Sequence, residues 1–248
     1  RYSTMGVVDK LGIEMGIGAV PYYQDLTFKF NFPSTRLGSF SVFGLGGLSH
    51  IDFALDDVDT SFVDCNPNNE MLIDTLTGGT HFTSDMGVVG FSHTYFFNKN
   101  VKNAASLKTR FAVSKTKSTT ADSIFENKIK SSLYGQELNK AKWSINSELH
   151  KKFSASNSIE IGFVYDYNQI SFVDSFYHDK TDRFYNRYNI EGEYSLIQAF
   201  AQWKHKFSDD LTLNSGVHFQ YFDYSEDYAI EPRLGLKWKM SQSSTLSA

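Results

Sequence analysis

A single cysteine, Cys65, stands among the 248 residues, so no internal disulfide can staple the chain. Cys65 then reads as a free thiol or as one bonded to something beyond this sequence. No apolar run approaches the roughly 18 residues that a membrane-spanning helix needs, which excludes a helical membrane protein. An excess of cations is missing too. The net charge of −4 has neither the sign nor the size of a nucleic-acid binder. The chain carries no P-loop, Rossmann fingerprint, CxxC, HExxH or Gly-x-Ser-x-Gly motif. The glycine-rich Gly44-Leu45-Gly46-Gly47 is followed by nothing helical, so it cradles no phosphate; it eases strand crowding or marks a bulge.

What the chain has is aromatic residues, 16% of the total, with 22 Phe and 14 Tyr. It also has period-two alternation, the mark of a strand with one apolar and one polar face. Ile159, Ile161, Phe163, Tyr165 and Tyr167 alternate with Glu160, Gly162, Val164 and Asp166. Leu107, Thr109, Phe111 and Val113 alternate with Lys108, Arg110, Ala112 and Ser114. The same pattern recurs in 26–32, 142–150, 211–222 and 230–240. Two segments break it. In 38–53 the apolar phase shifts from Phe40 and Val42 to Phe43 and Leu45, which predicts a bulge near Gly44, Gly46 or Gly47. In 189–206, Phe200 faces away from Ile197, Ala199, Ala201 and Trp203, so it either points inward or marks a misread register.

About ten such segments follow one another with almost no other structure. The breaks alternate: short near 33–37, 98–103, 154–157, 208–210 and 242–244, and long near 56–80, 116–141 and 174–189, with a smaller one at 223–228. Sorting loops by side is the pattern of an all-β, antiparallel up-and-down transmembrane β-barrel, with tight periplasmic turns and loose extracellular loops. Strands entering the short turns end alike, as Lys152-Phe153-Ser154, Lys206-Phe207-Ser208 and Lys239-Met240-Ser241. A large apolar side chain at the hydrocarbon edge, followed by a polar turn, suits a membrane interface. Tyr165, Tyr167, Tyr221, Phe222 and Tyr224 would form the opposite girdle. Periodicity alone also fits a soluble β-sandwich, in which the polar faces meet water and the apolar faces meet each other.

In the barrel reading the lumen wall includes Lys108, Arg110, Glu148, Glu160, Asp166, His218, Glu231, Arg233 and Lys237. The loop 174–187 mixes charge with aromatic rings; Tyr177, His178, Arg183, Tyr185 and Arg187 are its binding candidates. The acidic stretch 52–74 fits no EF-hand spacing, and a solvated loop is the simpler reading. The seven histidines are scattered and give no metal-spaced pair on one strand. No catalytic residue, metal site or cofactor is expected.

Ile230-Glu231-Pro232-Arg233-Leu234-Gly235-Leu236-Lys237-Trp238, followed after a short turn by Ser244-Thr245-Leu246-Ser247-Ala248, resembles a barrel hairpin of the TonB-dependent outer-membrane receptors. Leu37-Gly38-Ser39-Phe40-Ser41-Val42-Phe43-Gly44-Leu45-Gly46-Gly47 is similar to their mid-barrel strands. The resemblance implies a barrel of about 22 strands around an N-terminal plug, of which residues 1–248 supply one part and no plug. It implies a bacterial outer-membrane transporter that takes up a nutrient or chelate. Its partners would be outer-membrane lipid, its own plug domain, a TonB-type energy-transducing protein and a surface lipoprotein, but no nucleic acid. Both ends then read as cuts in a longer polypeptide. The rival reading is a complete small ten-stranded barrel, a porin or an omptin-like protease recruiting Asp56, Asp57 and His178.

Overall fold

The computed structural model describes residues 21–54, 78–98, 104–126, 129–178, 180–241 and 244–247. These form one sheet of ten antiparallel strands, paired in sequence order. The strands are β1 (Pro21–Thr35), β2 (Gly38–Ala54), β3 (Gly78–Asn98), β4 (Ala105–Glu126) and β5 (Ile129–Lys152), followed by β6 (Asn157–His178), β7 (Arg183–Lys206), β8 (Leu211–Phe222), β9 (Asp227–Lys239) and β10 (Thr245–Ser247). Among the described residues β1 and β10 do not pair, so the ten strands do not close on themselves.

Register divides the side chains into two faces, because successive residues of a strand point to opposite sides. Phe91, Phe111, Ile145, Tyr165, Ile197 and Tyr221 lie in one cross-strand row. Arg110, Asn146, Val164, Gln198 and Gln220 lie on the other side. Among the described residues nothing covers the apolar face. Ala105 is the only buried apolar side chain among the described residues, while Trp143 is 47% and Leu234 77% exposed. A sandwich would bury this face against a second sheet. A single layer with a continuous apolar surface calls for a non-aqueous solvent.

The turns are also staggered along the sheet. Lys151, Ile159, Trp203, Ser215 and Leu234 form one row. Phe153 lies two residues beyond that row, Phe207 four and Met240 six. These three side chains therefore step along the ladder by about one residue per strand. With a rise of about 3.3 Å and strands about 4.8 Å apart, a line through them crosses the strands as it would at a tilt of about 35°. Such a tilt is characteristic of transmembrane barrels.

Two sequence expectations need correction. The predicted long loops 116–141 and 174–189 are mostly strand: β4 runs to Glu126, β5 starts at Ile129, β6 ends at His178 and β7 starts at Arg183. At 24 residues β5 extends to about 80 Å, far beyond an apolar band of about 25 Å. At 114–120 of β4 both sides are polar, and in β6 and β7 Ile170, Phe172 and Ile190 stand on the otherwise polar side, so the alternation that reveals a strand is lost there. The predicted bulge in β2 is also absent, since its ladder to β3 runs unbroken from Ser39 to Ala54. Phe43 instead sits on the polar face over Gly90, where an added Cβ would overlap its ring. Phe200 likewise points to the polar face, over Gly162. Cys65 and the long break at 56–77, including Asp56 and Asp57, lie outside the described residues.

Candidate functional site

All nine predicted wall residues share the polar face of β4–β9. Three charge clusters form there. Arg110 Nη1 donates to Glu148 Oε1 at 2.7 Å and to Asn146 Oδ1 at 2.9 Å. Lys108 lies opposite Glu148 in register. Asp166, 7% exposed, accepts from Lys142 Nζ at 2.7 Å and from Ser144 Oγ at 2.6 Å. Arg233 Nη2 donates to Glu231 Oε2 at 2.9 Å, and the same oxygen lies 3.3 Å from His218 Nδ1. His218 Nε2 lies 3.3 Å from Gln198 Oε1. Glu160 is placed between His150 and Gln202, and Lys237 opposite Thr212. Lys142, Ser144 and Asn146 are missing from the candidate set, although the same period-two pattern puts them on this face.

The second predicted set lies in the β6–β7 hairpin. His178 pairs with Arg183, Tyr177 with Phe184 and Phe176 with Tyr185. Rings reinforce these pairs: Tyr177 and Phe184 are 5.3 Å apart and Phe176 and Tyr185 6.2 Å apart. The turn is tied by Thr181 N–H donating to the His178 carbonyl at 3.1 Å and by the Tyr177 hydroxyl on the Asp182 carboxylate. Asp182 takes a left-handed φ of 50° there.

Arg187 is held differently. The ladder pairs Tyr188 with Asp174 and Asn186 with Ser175, leaving Arg187 as the extra residue of a bulge. The bulge turns Arg187 toward Asp174, and Nε and Nη2 donate to Asp174 Oδ2 at 3.0 and 2.5 Å. Asp174 is 2% exposed, and its Oδ1 makes no hydrogen bond among the described residues. The hydrogen-bonded carboxylate raises the Arg187 pKa above its usual value. The guanidinium also lies 5.9 Å from the Tyr134 ring centre and 5.7 Å from that of Tyr188. A half-exposed cation framed by two phenol rings can take an anionic, planar group.

Toward the long-loop end, the otherwise apolar side turns polar. Asp85, Lys117 and Asn139 form one row across β3, β4 and β5. Lys117 Nζ is 2.9 Å from Glu137 Oε2, and Asn139 Nδ2 donates to Glu137 Oε1 at 2.7 Å. The Asn139 amide, followed by the Lys117 ammonium, holds the Glu137 carboxyl below its usual pKa. Asp52 and His81 pair on the same side, and His50 stacks on Tyr22 with ring centres 5.0 Å apart.

A family model described as TonB dependent receptor-like, beta-barrel, matches residues 18–248. No curated protein sequence is a significant match. Among solved structures, the ferric-catecholate import receptor Fiu from E. coli K12 matches with a TM-score of 0.65 at 8% identity, over 90% of this chain and 39% of that chain. The unliganded ferric citrate transporter FecA gives a TM-score of 0.49 at 10% identity, over 93% of this chain and 35% of that chain. The chain therefore spans less than half the length of these solved receptors.

Proposed function

Because this chain belongs to the TonB-dependent receptor β-barrel family, we propose that it forms part of the wall of an outer-membrane transporter that takes up a nutrient or chelate. The supporting observation is the two-faced single layer, with an uncovered apolar surface on one side and linked ion pairs on the other. In this reading the apolar face meets outer-membrane lipid. The polar face lines the lumen and contacts the plug, water or passing solute through Arg110, Glu148, Asp166, His218, Glu231 and Arg233. The β6–β7 hairpin stands at the extracellular end, where Arg187, Tyr134 and Tyr188 capture an anionic group of the substrate. Energy comes from a TonB-type protein acting on regions beyond this chain, and a surface lipoprotein can assist capture.

The test is uptake by cells expressing the full-length gene in an outer membrane stripped of competing receptors. Accumulation of an anionic chelate that stops when the proton-motive force is collapsed supports the proposal. Passage that ignores the uncoupler would replace it with a passive pore. The native polypeptide should also have a mass well above the 28.2 kDa of this chain.

A further inference from the structure

The two sides of the sheet exchange character toward the long-loop end of β5–β7. Leu138, Phe172 and Ile190 form one cross-strand row on the otherwise polar side. Lys140, Ile170 and Gly192 form the next row toward the turns. At the same height the other side carries Asn139, Ser171 and Glu191 in one row. Ile190 is 51% exposed, and Leu138 and Phe172 are half-buried. Lipid does not account for this patch, because it stands on the face opposite to Trp143, Phe163 and Trp203. An apolar patch rimmed by polar groups marks a binding surface.

Charge frames the patch. One row toward the loops lie Gln136, Asp174 and Tyr188, where Arg187 is held on Asp174 beside the Tyr134 and Tyr188 rings. One row toward the turns, Lys140 is exposed and makes no ion pair among the described residues. The nearest acids on this side of the three strands, Asp174 and Asp166, hold Arg187 and Lys142. On the adjacent β4, Asp122 stands opposite Tyr134, two rows from Leu138, and accepts from Thr80 Oγ1 at 2.8 Å. Successive rows on one side are about 7 Å apart, and three strands span about 10 Å. A ligand that meets both features carries an anionic group and, within about 7 Å of it, an apolar segment. A wholly hydrophilic chelate would leave the Leu138–Phe172–Ile190 row in water.

We propose that this surface binds an amphiphilic anion, its charged head on Arg187 and its apolar segment across Leu138, Phe172 and Ile190. This rests on the transporter reading above and narrows its substrate class. Arg187 supplies attraction common to all anions, and the apolar row selects among them by the surface they bury.

Ligand-observed NMR titration of the full-length receptor in nanodiscs, with empty nanodiscs as the blank, tests this with butane-, hexane- and octanesulfonate. Binding should tighten along the series, by up to about threefold to fourfold per methylene. Leu138→Ser combined with Ile190→Ser should flatten that series, whereas Arg187→Gln should weaken every member by a similar factor. Both variants should still migrate as folded barrels on unheated gels. A flat wild-type series, a steep one that the serine variant leaves unchanged, or no binding of octanesulfonate overturns the amphiphile proposal. If Arg187→Gln still weakens a flat series, the anion site of the transporter reading stands without it. Uptake that ignores the proton-motive force would overturn that reading and this proposal together.

Discussion

The Phe200 ring on β7 lies across Gly162 on β6, filling the space that a Cβ at Gly162 would occupy. It is the cross-strand packing in which an aromatic side chain covers a glycine within a sheet. The contact pins the register of two strands that are otherwise joined by repetitive backbone pairing. A Gly162→Ala substitution should lower stability by about 1–3 kcal/mol through overpacking. Adding Phe200→Ala should recover part of that loss, because the two changes share one space. Denaturant midpoints of the full-length protein in detergent give all three values.

Arg187 and Asp174 form the most specific contact of the loop end. Removing Arg187 leaves the nearly buried Asp174 carboxylate without its cation, which destabilises the hairpin. Arg187→Ala should therefore loosen the hairpin, seen as faster amide exchange across 174–188. Arg187→Lys should keep the charge but lose the two-point grip of the guanidinium. Under the proposed function, both variants should weaken substrate capture about tenfold or more, the scale of one charge-assisted hydrogen bond.

The two faces should respond oppositely to charge. Phe163 is on the apolar side of β6 and Val164 on the polar side. Phe163→Arg should destabilise the barrel by about 2–4 kcal/mol if it sits near the bilayer midplane. Val164→Arg should cost much less. Unfolding in lipid bilayers measures both.

Glu137 supplies a pH prediction. Its carboxyl is held below the usual value by Asn139 first and Lys117 second. A carboxylate with a depressed folded pKa contributes stability above the unfolded pKa of about 4.3, and that contribution is lost as pH falls through the lower folded value. Asn139→Ala should move the Glu137 titration back toward 4.3. Carbon-13 NMR of the labelled carboxyl reads the shift.

Much of this fold is legible in the sequence where the two sides of the sheet carry different residue types. The run 159–167 alternates because its odd positions share the apolar side of the sheet and its even positions the polar side, so each residue type reports its face. The Ser-, Thr- and Lys-rich 114–120 is polar on both sides and shows no alternation although it is strand. Phe43 misled the reading of β2 because its justification, Gly90, lies on another strand. The wall residues were legible as a face, but their pairing was not: Asp166 meets Lys142 only through the β5–β6 register. Arg187 was legible as a candidate, whereas the bulge that aims it at Asp174 has no local signature.

In the proposed barrel wall one face of this sheet meets lipid and the other faces inward. Spin labels placed singly at 159, 160, 161, 163, 164 and 165 of β6, in the full-length protein with Cys65→Ser and embedded in bilayers, test it most directly. Collision rates with oxygen, which concentrates in lipid, should be high at 159, 161, 163 and 165 and low at 160 and 164. Rates that do not alternate, or that alternate in the opposite phase, would contradict the barrel-wall account.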